Sequence, residues 1–385
     1  MQIGLVGKPS SGKSSFFKAA TMIDVAIAEW PFTTIKPNVG VGYVSTDCVC
    51  KQYGVKCKPN NSLCIDGKRF IPVKLIDVAG LVPDAHLGKG MGNQFLDDLR
   101  QADCLIHVVD ASGLTDAEGK AAKDHDPCGD IKFLEKEIDL WFTDIVGRAL
   151  EKYKKKSQFS KLEVTDVLVE HLSGLGITKG QIEETLEKFG LDNLEGLASY
   201  LRKLSKPIII AANKIDLESS QKNLEKMKSE FPDTTIIPAS SASEIALKTA
   251  KEKAIINYKN NKVEVLGQID DKQKKGLEFI QKNVLERYGS TGVQECLNKC
   301  VFDVLNYIVA YPVADANKLS NKNGDVLPDA FLVKKGTTMK GFAFMIHSDI
   351  GEKFIGGLDA KKKIKLGADY ELKNNDVIEI LFQKR

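Results

Sequence analysis

The sequence predicts an α/β fold built on a mostly parallel, doubly wound sheet, followed by a smaller α+β module. Five short apolar runs carry this prediction: IGLV (3–6), VKLID (73–77), CLIHVVD (104–110), PIIIAAN (207–213) and TIIPAS (235–240). The runs are nearly continuous in Val, Ile and Leu, which is typical of strands buried on both faces of a parallel sheet. Helical patterns lie between several of them, and this alternation favours the doubly wound arrangement.

Length and charge restrict the function classes. The chain has 385 residues, enough for two or three domains, and a formal net charge of +3. Because this charge is small, it does not attract the whole chain to nucleic acid, and any RNA-binding surface would be a local patch. Sequence-specific DNA binding is not expected. Because no apolar run approaches the roughly 20 residues of a membrane span, and no basic leader precedes Ile3, we expect a cytoplasmic protein with no membrane partner.

A phosphate-binding loop follows the first apolar run. Residues 7–14, GKPSSGKS, fit the pattern G-x-x-x-x-G-K-[ST] between a strand pattern and a helix pattern. In such a loop backbone N–H groups contact phosphate oxygens, the lysine contacts the β- and γ-phosphates, the next hydroxyl binds Mg²⁺ and the one after it reaches the α-phosphate. The predicted nucleotide-binding residues of this loop are Gly7, Lys8, Pro9, Ser10, Ser11, Gly12, Lys13, Ser14 and Ser15, with Ser14 as the Mg²⁺ ligand.

A second motif, DVAG, ends the run VKLID. Asp77 is predicted to hold Mg²⁺, usually through water, and the N–H of Gly80 to donate to the γ-phosphate. The next residue, Leu81, stands where many nucleotide hydrolases carry a glutamine that orients the attacking water. Leucine has no group that can form this hydrogen bond. We therefore assign no catalytic residue and expect slow intrinsic hydrolysis.

The segment WPFTTIKPNVG (30–40) is the candidate for the first switch loop. Its apolar residues and threonines suit a loop that orders around a γ-phosphate. Either Thr33 or Thr34 would supply the remaining ligand of Mg²⁺ and of the γ-phosphate.

Two further motifs predict the base. In NKID, Asp216 can accept two hydrogen bonds from the N1–H and N2–H₂ edge of guanine, whereas adenine presents an acceptor at N1. Asn213 is expected to join this loop to the phosphate loop, and the stem of Lys214 to stack on the base. In PASSA, Ser240 and Ser241 could offer backbone N–H groups to the guanine O6. GTP and GDP are therefore the predicted ligands.

Almost 100 residues between the third and fourth apolar runs have a helical pattern instead. Apolar residues recur there at steps of three and four, and the stripe around Trp141 is either hairpin core or a partner surface. The pair Thr178 and Gln181 has capping-box spacing, and Asp192 with Glu195 suggests another helix start. We expect a helical insert, with an antiparallel hairpin as one arrangement.

From Pro312 the pattern becomes strand, turn, short helix and closing strand, which predicts a separate α+β module. The predicted domains are 1–125 with 206–305 for the nucleotide-binding domain, which includes a Cys-rich loop at 47–65, then 126–205 for the helical insert and 306–385 for the C-terminal module.

Four of the eight cysteines lie close together in the sequence, as Cys48, Cys50, Cys57 and Cys64. Four sulfurs in so short a polar segment could bind Zn²⁺, although their spacing departs from the usual C-x₂-C pairs. Two disulfides or four free thiols are the alternatives. The sequence leaves these three states open.

Three long segments resemble one protein family: EWPFTTIKPNVGVGYV, DVAGLVPDAHLGKGMGNQFLDDLRQADCLIHVVDAS and YPVADANKLSNKNGDVLPDAFLVKKGTT. They resemble the YchF (Obg-like) branch of the Obg-related GTPases, above all its archaeal members. The resemblance implies a G domain, an inserted helical hairpin and a C-terminal TGS domain of β-grasp type. It also implies Thr34 as the switch ligand, and binding to ribosomes or RNA through the helical and TGS domains.

The chain departs from the family pattern at informative positions. Many bacterial and eukaryotic members carry glutamate at the last base-recognition position and prefer ATP, whereas Asp216 restores the guanine-reading residue. Ser10 replaces an asparagine or aspartate that can help hold potassium. Some bacterial relatives use a histidine after the HVV strand, but neither His107 nor His125 aligns cleanly with it.

These observations predict a GTP-binding protein with slow Mg²⁺-dependent hydrolysis that acts as a nucleotide-dependent switch on ribosomes or RNA. One alternative is an ATPase of the same family. Another is a nucleotide-gated ribosome- or RNA-binding protein with negligible turnover of its own.

Overall fold

The structure is a computed structural model that describes residues 1–22, 38–78, 92–157, 163–259 and 261–383. The described residues form two compact units. The first unit comprises residues 1–22, 38–42 and, with its gaps, 74–296, and the second comprises residues 43–73 and 297–383. No helix in the described ranges is long and apolar enough to cross a membrane.

The larger sheet confirms the predicted α/β class. Its strands are β1 (Gln2–Val6), β2 (Val39–Asp47), β3 (Leu63–Ile65), β4 (Lys68–Asp77), β5 (Cys104–Asp110), β6 (Ile208–Asn213) and β7 (Ile236–Pro238). They lie in the order β2-β4-β1-β5-β6-β7, with β3 paired to β4. The pairs β1–β4, β1–β5, β5–β6 and β6–β7 are parallel. All five predicted runs are strands of this sheet.

The order of the strands locates a ligand crevice. Chain order reverses on the two sides of β1, and open α/β sheets bind ligands at such a switch point, beyond the carboxyl ends of their strands. Leu5 pairs with Asp77, Val6 with His107 and Asp110 with Asn213. The phosphate loop, Asp77 and the NKID loop therefore begin at the same edge of the sheet.

Eleven α-helices begin in the described residues of the first unit. They are α1 (Lys13–Thr21), α3 (Gly92–Gln101), α4 (Pro127–Ser157), α5 (Val164–Leu172), α6 (Lys179–Phe189), α7 (Leu194–Ser205), α8 (Ser220–Glu230), α9 (Ser241–Glu252), α10 (Asp271–Ile280), α11 (Glu286–Tyr288) and α12 (Val293–Asn298). A short helix, α2 (Cys50–Tyr53), lies in the second unit, and a two-stranded ribbon, β8 (Ile256–Lys259) with β9 (Lys262–Val265), follows α9. Single π-helical turns follow α10 and α12.

The predicted helical insert consists of α4 to α7 and shares its core with the sheet. One buried cluster contains Val6 and Leu105 from the strands together with Trp141 and Leu201 from the insert. Trp141 is thus a core residue, as the packing alternative expected. The capping box at Thr178 is present, because its hydroxyl accepts from the Gln181 N–H while the Gln181 side chain accepts from the Thr178 N–H.

The suggested helix start at Asp192 is displaced by one residue. The side chain of Asn193 accepts a hydrogen bond from the Gly196 N–H at 2.9 Å, so Asn193 caps α7. Asparagine and aspartate cap helices almost equally well. The spacing alone therefore could not separate the two residues.

The second unit contains the predicted C-terminal α+β module. Its elements are β10 (Tyr307–Val313), β11 (Phe331–Lys334), α13 (Met339–Ile346), α14 (Ser348–Glu352), β12 (Phe354–Asp359), β13 (Lys365–Leu366) and β14 (Asp376–Phe382). The sheet order is β11-β10-β14-β12-β13, and only the β10–β14 pair of this sheet is parallel among the described residues. Met339 and Phe342 of α13 pack on this sheet.

The Cys-rich segment also belongs to the second unit, whereas the sequence placed it in the nucleotide-binding domain. The N–H of Lys58 donates to the Val326 carbonyl at 2.8 Å, and the N–H of Asn60 donates to the Pro328 carbonyl at 2.6 Å. The Arg69 guanidinium donates to the Leu327 carbonyl at 2.7 Å. Contacts between segments so distant in sequence carry no local signal. The other predicted domain boundaries stay predictions.

Candidate nucleotide-binding site

The phosphate loop connects β1 to α1 with a backbone that requires glycine at two positions. A Cβ at Gly7 would lie 2.5 Å from the Val108 carbonyl oxygen of β5. Gly12 has a left-handed φ of 91°, and a Cβ there would overlap the side-chain amide of Asn213. No side chain caps α1, so the N–H groups of its first turn are available to an anion.

Lys13, Ser14 and Asp77 form one network at the start of α1. The Lys13 ammonium forms an ion pair with Asp77 and donates to the Val78 carbonyl at 2.6 Å. The Ser14 hydroxyl donates to the other Asp77 oxygen at 3.5 Å. The structure therefore brings together the residues predicted to contact the phosphates and Mg²⁺. A hydroxyl and a carboxylate oxygen are ligands that Mg²⁺ prefers.

Asn213 joins three loops from a buried position. Its Nδ2 donates to the Ser11 carbonyl of the phosphate loop at 3.0 Å. Its Oδ1 accepts from the Ser241 N–H at 3.1 Å and from the Ser241 hydroxyl at 3.0 Å. This side chain is 3% exposed. The expected link between the base loop and the phosphate loop is therefore present, and it includes the PASSA segment.

Asp216 lies just beyond β6, in a half-buried position. Its Oδ1 accepts a hydrogen bond from the Ser240 hydroxyl at 2.7 Å. Ser240 also caps α9 by accepting from the Ser243 N–H. The carboxylate is thus oriented by a residue whose own position is set by a helix start.

Lys214 is oriented by a carboxylate that sequence reasoning missed. Its backbone has a left-handed φ of 64°, and its ammonium lies 2.8 Å from Asp110 Oδ2. Burial opposes ionisation of Asp110, but hydrogen bonds from Lys214, Ser112 and Thr115 outweigh it and hold the pKa of the carboxyl below its usual range. Asp110 ends β5 as Asp77 ends β4, and this parallel was the available signal.

Comparisons with known proteins identify the family of this chain. Three family models match the chain: a 50S ribosome-binding GTPase over residues 2–128, the G4 motif-containing domain of a YGR210-like Obg-like GTPase over residues 211–315, and a TGS domain over residues 322–382. The GTP-binding protein MJ1332 of Methanocaldococcus jannaschii is 51% identical over 388 residues, which cover 98% of each chain. This chain belongs to the YchF (Obg-like) GTPase family.

Two other relatives of this YchF-family protein bear on its fold and function. A crystal structure of a GTP-binding protein from Pyrococcus horikoshii is 38% identical, matches 100% of each chain and has a TM-score of 0.81. The protein named ribosome-binding ATPase YchF in Bacillus subtilis is 28% identical, with 98% of each chain covered. The names of these relatives thus include both GTP and ATP.

Lys8 of the YchF phosphate loop has a buried side chain, and its ammonium lies 2.8 Å from Asp130 Oδ2 in the first turn of α4. The same ammonium donates to the Thr115 carbonyl at 2.7 Å. The predicted contact of Lys8 with nucleotide, through the backbone, stays a prediction. His125 Nε2 lies 2.9 Å from Asp130 Oδ1. The side chain of Lys8 therefore links the phosphate loop to the helical insert.

The two histidines near β5 have structural surroundings. His107 is buried within the strand, and burial, followed by the nearby charge of Lys8, lowers its pKa to about 3. The imidazole of His107 is therefore neutral at ordinary pH. His125 is occupied by Asp130. Neither observation assigns a catalytic role, in agreement with the sequence.

Other predicted residues divide into exposed ones and ones outside the described ranges. Pro9, Ser10, Ser14 and Ser15 are exposed along the loop, and Ser10 has a left-handed φ of 60°. Thr33, Thr34, Gly80 and Leu81 lie outside the described residues, so their roles stay predictions.

A second donor set lies in the other unit. Cys48, Cys50, Cys57 and Cys64 bring their four sulfurs within 4.8 Å of one another. This cluster could hold a metal ion. The other four cysteines, Cys104, Cys128, Cys296 and Cys300, are buried and form no disulfide among the described residues.

Proposed function

We propose that this protein binds GTP with Mg²⁺, hydrolyses it slowly, and acts as a nucleotide-dependent switch that associates with ribosomes or RNA. The observation that carries the proposal is the Asn213 network, which fixes the loop bearing Asp216 to the phosphate loop. A base held at Asp216 and a triphosphate held at the start of α1 then belong to one ligand.

The choice of base follows from Asp216. Its ionised carboxylate only accepts hydrogen bonds, so it pairs with the N1–H and N2–H₂ groups of guanine and opposes the N1 acceptor of adenine. Sites that hydrogen-bond a ligand in this manner reject the unmatched analogue by about 10⁴-fold. The Bacillus relative is named an ATPase, so a preference for GTP is the property in which we propose that the present chain differs from it.

Magnesium would be held by Ser14 and Asp77, and by Thr34 as the family resemblance implies. When bound, it neutralises charge on the β- and γ-phosphates. Lys13 contacts Asp77 in the described structure, so nucleotide binding redirects the Lys13 ammonium from that carboxylate to the phosphates. The ion pair keeps two opposite charges compensated until the ligand brings its own.

Hydrolysis is expected to be slow because Leu81 cannot orient water. The residue that does so is unassigned, so a partner that completes the site would accelerate turnover. The buried Lys8–Asp130 pair provides a direct contact by which movement of the phosphate loop reaches α4, a helix of 31 residues. This contact supports a switch whose state the helical insert transmits.

The C-terminal unit supports the proposed partner. Its exposed lysines would contact phosphates of RNA: Lys334, Lys335, Lys340, Lys361, Lys362, Lys363 and Lys365. The printed name of the Bacillus relative also includes ribosome binding.

Multiple-turnover phosphate release tests the enzymatic part of the proposal. We expect slow Mg²⁺-dependent release from GTP, little from ATP, and a higher GTP rate when ribosomes are added. Nucleotide-dependent ribosome binding without release under any condition would favour the gated binding protein instead. Faster release from ATP than from GTP would favour the ATPase.

A further inference from the structure

The four cysteines 48, 50, 57 and 64 have the spacing of a metal site. The Sγ atoms of Cys48 and Cys57 are 4.0 Å apart, and those of Cys50 and Cys64 are 3.9 Å apart. Four sulfurs at about 2.3 Å from a tetrahedral Zn²⁺ would lie about 3.8 Å from one another. The cluster therefore matches tetrahedral coordination without any large movement of its backbone.

Backbone structure positions three of the four cysteines independently of a metal. Cys48 follows β2, and its N–H donates to the Gly67 carbonyl at 2.9 Å. Cys50 begins α2, and Cys64 is the middle residue of β3. The turn between β3 and β4 has left-handed φ at Asp66 and Gly67, as in a type I′ Asp-Gly hairpin. Cys50 and Cys64 are thus positioned by a helix start and a hairpin, and Cys48 by its bond to that hairpin.

A buried cation beside the cluster is the second, independent observation. Arg69 is fully buried and lies opposite Cys64 in the β3–β4 ladder, so the two side chains share one face. Its Nη2 donates to two carbonyls, but Nε and Nη1 have no partner among the described residues, and no ion pair there joins Arg69 to a carboxylate. The guanidinium lies 5.5 Å from the centroid of the Tyr311 ring and interacts with the charge of Asp329. A buried charge is costly unless it is well paired, and four thiolates around one Zn²⁺ would add a net negative charge beside Arg69.

We propose that Cys48, Cys50, Cys57 and Cys64 bind one structural Zn²⁺. With four protein ligands the site would be closed, which is typical of structural rather than catalytic zinc. The ion would fix the segment of residues 48–64. In this segment the N–H groups of Lys58 and Asn60 donate to the carbonyls of Val326 and Pro328 in the same unit. The proposal does not depend on the nucleotide chemistry.

Metal analysis of the full chain, purified without chelator and under reducing conditions, tests the proposal. We expect one Zn²⁺ per chain, released in equal amount when a thiol-modifying reagent is added. Cys57→Ser and Cys64→Ser, at half-buried positions, should lose the zinc, whereas the matched control Cys104→Ala, a buried free cysteine of β5, should keep it. Cobalt substitution should give the visible and near-ultraviolet bands of tetrahedral thiolate ligation.

Three results would overturn the proposal. Protein without metal that gains four titratable thiols only after reduction would contain the disulfides Cys48–Cys57 and Cys50–Cys64. Protein without metal in which all eight cysteines titrate at once, and which binds no cobalt, would contain free thiols. Zinc retained in both serine variants would lie elsewhere. The thiol and metal counts on the unmodified chain decide between these states even if a variant fails to fold.

Discussion

Replacing Asn213 by alanine tests whether the base loop and the phosphate loop act as one unit. The side chain is 3% exposed and makes three hydrogen bonds, one to the Ser11 carbonyl and two from Ser241. At about 1 kcal/mol of net stabilisation for each bond, the substitution removes about 3 kcal/mol. The backbone groups left behind are buried and gain no other partner from alanine.

Because the protein without nucleotide already makes these hydrogen bonds, part of the lost free energy lowers the stability of the fold and part weakens nucleotide binding. Nucleotide must then order both loops, so we expect the Kd for GTP to rise by about 10- to 100-fold. The ratio of GTP to ATP affinity should stay unchanged, since Asp216 is intact. Isothermal titration calorimetry in the presence of Mg²⁺ measures both quantities.

Asn223→Ala is the matched control. Its side-chain amide donates to the Ala111 carbonyl at 2.8 Å, so it also bonds to a backbone group near the carboxyl edge of the sheet, but it joins no predicted nucleotide loop. We expect GTP affinity within about threefold of wild type, because one such bond contributes about 1 kcal/mol to stability and not to the ligand. Wild-type GTP affinity in Asn213→Ala would refute the reasoning.

Asp130→Asn leaves the buried ammonium of Lys8 without its carboxylate partner and should lower the free energy of unfolding by about 3 kcal/mol. Asp126→Asn removes the half-exposed ion pair with Lys226 and should lower the free energy of unfolding by less than about 1 kcal/mol. Equal losses for the two variants in urea unfolding would contradict this expectation. Because the pKa of His107 is lowered from 6.5 to about 3, only the unfolded chain takes up this proton as the pH falls between those values, so stability is full above pH 6.5 and decreases below it. His107→Leu should reduce the stability loss between pH 7 and pH 5 by about 2 kcal/mol, and urea unfolding at the two pH values measures this loss. Leu81→Gln should raise the basal rate of GTP hydrolysis many-fold, and an unchanged rate would show that this side chain does not limit turnover.

The sequence predicted those parts of the site that depend on backbone position. A strand followed by GKPSSGKS, and a strand followed by NKID, fix which residues meet at the carboxyl edge of a parallel sheet. The Asn213 link to the phosphate loop followed from this placement, and the structure contains it. The structure also pairs Lys13 with Asp77 at this edge, a contact that was not predicted from the sequence.

The parts that the sequence did not predict depend on side chains that meet over long separations. Lys8 occupies a variable position of the loop pattern, so nothing local indicates that its ammonium points toward Asp130 in the helical insert. The Cys-rich segment packs with the C-terminal unit through backbone bonds such as Lys58 to Val326. Hydrogen bonds of this kind leave no periodicity in the sequence. The shared core of sheet and insert is hidden for the same reason.

Competition between GTP and ATP for the purified full chain tests the central claim most directly. In the presence of Mg²⁺, we predict that GTP displaces a labelled guanine nucleotide at least about 100-fold more effectively than ATP, and that Asp216→Glu reduces this preference while Ser10→Asn preserves it. Asp216→Glu moves the carboxylate by one methylene, away from the position at which Ser240 orients it. Equal or tighter binding of ATP by the wild-type chain would contradict the account.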